Sequence, residues 1–191
     1  MKGFLQQFSA AAASPAFGVV ALVVTLLMMC FLARQGEQLE TTEAPKRVVS
    51  LELAWTKPCA EKIIGSWNRK EVHGVAVKQV LLDYIFIAGY ACLLLYTGLA
   101  AEKAAQAAGL SSLAHAAHFG AWGGLIAGGL DCLENVGLLA MLWGHPTAAV
   151  ALMTSAFAFL KFVLAGVAIV VSAAAFTSWA VQRLRPPQRS N

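Results

Sequence analysis

The chain has 191 residues, 59% of them hydrophobic and only 13% charged, and carries a net charge of +4. A soluble domain has about a quarter of its residues charged, so this composition, with its long uncharged runs, excludes an ordinary soluble domain. No basic cluster is interleaved with exposed aromatics, which excludes a nucleic-acid partner.

The expected class is all-α: an integral membrane four-helix bundle, a single membrane domain over residues 1–191 with the lipid bilayer as its first partner. The first span covers about residues 16–34. It is long for the apolar core of a signal peptide and no small-residue cleavage site follows it, so it is expected to remain as a span. A polar cap segment occupies 35–78. Within it, Thr56, Lys57 and Pro58 suit a helix start, and Cys59, Ile63, Ile64 and Trp67 recur at helical spacing. That pattern predicts a short amphipathic interfacial helix between spans 1 and 2, with Trp55 and Trp67 at headgroup level. A cap packed over the end of the bundle is the blander reading of the same pattern, and the two are not exclusive.

The second, third and fourth spans fall at about 79–100, 113–143 and 148–181. A connector at 102–112 and a tight turn at Gly144–Thr147 join them. The basic, Pro-containing tail at 183–191 is expected to fray. Four spans put both termini on one side. Lys2 and the tail are basic while Gly144–Thr147 has no Lys or Arg, which favours cytoplasmic termini in a bacterial inner membrane. Residues 34–78 pull the other way with eight basic residues, diluted by six acids.

Against this apolar background stand a few polar residues. At about 100° per residue, Gly120, Gly124, Ala127, Asn135 and Leu138 fall within about 40° of Asp131 on the third span, and Glu134 and Gly128 within about 60°. Gly120, Gly124 and Gly128 form a small-residue ladder that admits a close helix neighbour. On the second span Asp83, Tyr90 and Thr97 recur every seven residues, as do Thr154, Lys161 and Ala168 on the fourth, with Ser172 near the same line. Each helix thus has one polar stripe, and the stripes are expected to face one another. Measured from the 144–147 turn, Asp131 lies about 18 Å down and Lys161 about 20 Å. Matching depth predicts an Asp131–Lys161 ion pair, with Glu134 and Asp83 nearer the cap.

Three carboxyls around one ammonium do not balance. In a low-dielectric interior at least one keeps its proton unless water, a cation or a ligand compensates. Tyr90, Asn135 and Thr154 are the candidate hydrogen-bonding partners. The four cysteines form no C-x-x-C pair, and the histidines are not placed on facing helices, so neither thiol–disulfide chemistry nor haem or zinc ligation is expected. No cofactor and no catalytic residue is assigned, and the balance leans away from an enzyme.

Leu51–Ala54, Trp67, Leu82–Ile87 with Tyr90, and Gly129–Asn135 together resemble a group of uncharacterised bacterial membrane proteins with four predicted spans. In that group the L-D-x-x-F and G-L-D-x-x-E-N segments recur together. The resemblance covers about residues 45–145. It implies no activity, and it favours treating Asp83, Asp131, Glu134 and Asn135 as one site.

The expected function is therefore binding or passage of a small polar species, either a proton, a cation or a lipid headgroup. Asp131 and Glu134 would be acceptors, Asp83 a gate-side acid and Lys161 the counter-charge. The alternative is a structural or assembly subunit whose ion pair only fixes helix packing. A homodimer through a Gly or Ala face stays open. A pocket reaching the surface near Asp131 separates the first reading from a closed, dry clamp.

Overall fold

Ser14 and Pro15 start the first helix in the way their chemistry favours. The Ser14 hydroxyl accepts from the Phe17 amide at 3.3 Å, and Pro15 occupies the first helical position, where no amide donor is needed. The structure, a computed structural model, describes residues 14–184; residues 1–13 and 185–191, including most of the predicted tail, lie outside it. Helix α1 spans Pro15–Gly36 and runs into a 3-10 turn at Glu37–Leu39. The cap holds the short helix α2, Val48–Glu52, and helix α3, Lys57–Arg69. Three long helices follow: α4, His73–Ala107; α5, Ser111–Leu142; and α6, Ala148–Leu184. No strand occurs among the described residues.

Four of these helices are long and apolar enough to cross a membrane. At 1.5 Å per residue, α4, α5 and α6 measure roughly 50 Å, well beyond a hydrocarbon core of about 30 Å. Helix α4 continues past the predicted span at both ends, so most of the expected 102–112 connector is helical. What stops it is a glycine. Gly109 takes φ +69°, and the Leu110 amide then reaches back to the Ala105 carbonyl at 2.9 Å. The α5–α6 turn repeats the device, with Gly144 at φ +93° and the His145 amide on the Ala140 carbonyl at 3.0 Å. An L side chain strains in that backbone conformation and glycine does not. The Thr147 hydroxyl then accepts from the Val150 amide at 3.1 Å and opens α6.

Helices α4, α5 and α6 pack on one another, and α1 packs along α4. Helix α1 has no comparable contact with α6, so the bundle is open on that side. The stripe of α1 turned inward is Gly18, Ala21, Thr25 and Leu32. Most of its other large side chains, Val19, Val23, Leu27 and Phe31 among them, face outward. That suits lipid contact and not water.

The cap is packed over the bundle end. Thr56 starts α3 by accepting from the Cys59 amide at 3.4 Å, as its sequence suggests. Ala60, Ile63, Ile64 and Trp67 of α3 are buried in one cluster with Leu39, Leu51, Leu138, Met141 and Leu142. Trp67 faces the protein interior and not lipid. Its ring is fully buried, and its indole N–H donates to the Leu39 carbonyl at 2.7 Å. Cys59, expected on the apolar face, is exposed. The apolar face of α3 is met by the protein's own end, where Leu138, Leu139, Met141 and Leu142 join its cluster.

Candidate functional site

Asp131 and Lys161 meet as the depth match requires. Lys161 Nζ donates to Asp131 Oδ1 at 2.6 Å. It also lies 2.7 Å from Glu134 Oε2 and 3.4 Å from Glu52 Oε2, so three carboxylates enclose one ammonium. Tyr90 donates its hydroxyl to Asp131 Oδ2 at 2.8 Å, and Asn135 donates its amide to Asp83 Oδ2 at 2.9 Å. The structure thus brings Asp83, Tyr90, Asp131, Glu134, Asn135 and Lys161 into one cluster. Thr154 stands apart from it, with its hydroxyl pressed against Gly137.

Glu52 is the member that the residue pattern did not single out. It ends α2 in the cap, and it arrives because the chain bends sharply on both sides. Arg47 and Trp55, at φ 60° and 58°, bracket α2 in a left-handed backbone conformation that costs roughly 1–2 kcal/mol per non-glycine residue. Two bonds hold these bends. The Arg47 guanidinium donates to the Ala33 carbonyl at 3.1 Å, and the Trp55 amide donates to the Ser155 hydroxyl at 2.9 Å. The available signal was an acid flanked by Leu51 and Leu53 in an otherwise apolar run. Burial pushes the Glu52 carboxyl above its ordinary value. The Lys161 ammonium pulls it back, and the Asp131 carboxylate adds to the rise.

The polar cluster is not fully satisfied. Glu134 is 0% exposed, yet neither of its carboxyl oxygens has an aligned hydrogen-bond donor, and its contact with Lys161 is one of charge proximity. Glu52 Oε2 is in the same state. Four carboxyls (Glu52, Asp83, Asp131, Glu134) share one ammonium. In low dielectric the excess has to be met by protons or by a bound positive group. The carboxylates converge on Lys161 and not on an empty point, and no group of three or more His, Cys, Asp or Glu among the described residues is arranged to hold a metal ion.

The glycine ladder serves two neighbours. Gly124 and Gly128 face Leu94 and Ala91 of α4, whereas Gly120 faces Ala168 of α6. At the opposite end His118 Nδ1 lies 3.0 Å from Glu102 Oε2, tying α5 to α4 there.

Beside the cluster, the open side of the bundle forms a groove of about 800 Å³ between α1 and α6, floored by α4. Its polar end is made by Lys46, Arg47, Glu52, Asp83, Asp131 and Lys161. Its remaining length is walled by Phe86, Leu93, Leu94, Phe162, Ile169 and Phe176, with Thr97 and Ser172 among them. Comparison with protein-family models found none that matches, and comparisons with curated proteins and with solved structures found no significant similarity.

Proposed function

We propose that this chain is a multi-pass protein of a bacterial inner membrane that binds an amphiphilic molecule from the bilayer in the groove between α1 and α6, with the molecule's polar group at the carboxylate–Lys161 cluster. The observation that carries this reading is the groove itself. It is apolar along most of its length, it opens sideways towards lipid, and it ends on charges that a closed clamp would keep to itself. Pockets that bind small molecules combine apolar walls with a few convergent polar groups in this way. A bare cation would need no such wall. On this reading both termini are cytoplasmic, so the cap and the polar end of the groove lie at the outer leaflet.

The test is to fill the groove without touching the cluster. Ala165 lines it on α6. Ala165→Trp in the full chain should abolish lipid retained through detergent purification, measured by mass spectrometry, with the unfolding temperature close to that of the wild type. Retention of the same lipid at the same stoichiometry would refute the reading.

One observation favours a second reading, in which the cluster is a register clamp for α2, α5 and α6. Lys161 already spends its charge on three carboxylates within 3.4 Å. Under that reading Ala165→Trp would change neither lipid content nor stability.

A further inference from the structure

Resting on the groove reading above, we infer that the occupant is a zwitterionic phospholipid whose headgroup ends in a primary ammonium. The charges lining the groove are segregated. Glu52, Asp83 and Asp131 are acidic, and with the adjoining Glu134 they have only Lys161 to share. Lys46 and Arg47 supply positive charge where the chain enters α2. Lys46 is exposed and pairs with no carboxylate among the described residues, whereas Arg47 already holds Glu40 at 3.4 Å. A headgroup lying across this end presents its ammonium to the carboxylates and its phosphate to Lys46. A purely anionic headgroup would leave the carboxylate excess uncompensated, and a purely cationic one would leave Lys46 idle.

The demand is for hydrogen-bond donors as well as charge. Gln79, whose amide N–H donates to the Leu32 carbonyl at 3.3 Å, keeps a buried Oε1 with no donor, and Gln79 lines the groove. Glu52 Oε2, 3.4 Å from the Lys161 ammonium, is also buried without an aligned donor, and both oxygens of Glu134 behind it are in the same state. A primary ammonium brings N–H groups to the acceptors of Gln79 and Glu52, which line the groove; a quaternary ammonium carries equal charge and no N–H. The groove's length agrees. From Asp83 to Thr97 the floor runs about 21 Å, somewhat more than one leaflet of about 15 Å, enough for an acyl chain below the headgroup.

Synthetic phosphatidylethanolamine, phosphatidylcholine and phosphatidylglycerol with identical acyl chains, titrated into the detergent-purified full chain, separate these chemistries by native mass spectrometry. The ethanolamine lipid should bind roughly tenfold or more tightly than either other lipid, the scale of one charge-assisted hydrogen bond. Asp83→Asn should weaken binding of the ethanolamine lipid more than that of the choline lipid, and so bring their ratio towards one. Lys46→Ala, at an exposed site, should weaken binding of ethanolamine and choline lipids together, through the phosphate. A wild-type ratio near one, or a preference for the glycerol lipid, overturns the ammonium inference and leaves groove binding standing. Binding of none of the three overturns both.

Discussion

At the cap end of the bundle, large side chains meet: Trp67, Leu39, Leu51, Ile63, Leu138 and Met141 are all nearly or fully buried, and the charged cluster lies just beneath them. At the far end the buried cluster is Ala101, Ala105, Ala114, Ala117 and Ala175, with only Leu113 and Val171 packed against it. Both ends belong to the same helices, yet they are held by different means. Alanine contacts let helices approach closely and gain by dispersion, with little to fix which turn meets which. The charged end is directional. A Lys161 that slipped one turn along α5 would lose its carboxylates, at a cost far above that of sliding alanine past alanine. Register is set most strongly at the cap end, while close approach runs along the bundle from Gly98 to Gly137, and the far end adds only the half-exposed His118–Glu102 tie.

The largest expected break in that contrast comes from removing the ammonium. Lys161→Met leaves three carboxylates facing one another and should lower stability in detergent by about 3–5 kcal/mol, with Asp131→Asn in the same chain restoring part of it. An unchanged unfolding midpoint for Lys161→Met would dismiss the cluster as the register device. Next in size is close approach. A methyl built on Gly98 lies 2.6 Å from the Ala121 Cα, so Gly98→Ala should cost about 1–3 kcal/mol, while Gly123→Ala, with nothing within 4 Å, should be neutral or slightly stabilising. Equal effects at the two glycines would show that the α4–α5 crossing is looser than described.

Smaller still is the cap. Trp67→Phe keeps most of the ring but strands the Leu39 carbonyl, and should cost about 1 kcal/mol, read by thermal unfolding. The smallest effect is on pH dependence. Because burial raises the Glu52 carboxyl above its ordinary value, the folded chain keeps a proton that the unfolded chain has released. The stability tied to that proton is fully present below the ordinary glutamate value and is lost as pH rises through the higher folded one. The groups facing Glu52 are Lys161, Asp131 and Glu134. Glu52→Gln should therefore gain on the wild type as pH rises from about 4 upwards; parallel stability curves would show that Glu52 does not titrate in the fold.

Much of this was legible beforehand, and the residues show why. The Asp131–Lys161 pair follows from helical rise and one short turn, since two antiparallel helices joined by Gly144–Thr147 have little freedom in relative depth. Tyr90 follows from its seven-residue spacing from Asp83, and Asn135 from lying four residues, about 40°, from Asp131 on one helix face. The full burial of Trp67 was not legible, because an apolar helix face does not say which apolar surface will cover it. Thr154 was expected in the cluster, yet it packs on Gly137, two residues beyond Asn135 on the same helix; periodicity resolves a face but not a single contact.

What the sequence determined by itself is the set of long apolar helices, their turns and the polar face each one carries, because these depend on local periods and on glycines at fixed offsets. Tertiary structure alone decided two things. It brought Glu52 down from the cap onto Lys161, through bends at Arg47 and Trp55 that no helical period encodes. It also left α1 beside α4 and away from α6, opening the groove. Which helices become neighbours depends on how side-chain volumes from distant segments fill space together, and that sum is not written in any one stretch of the chain.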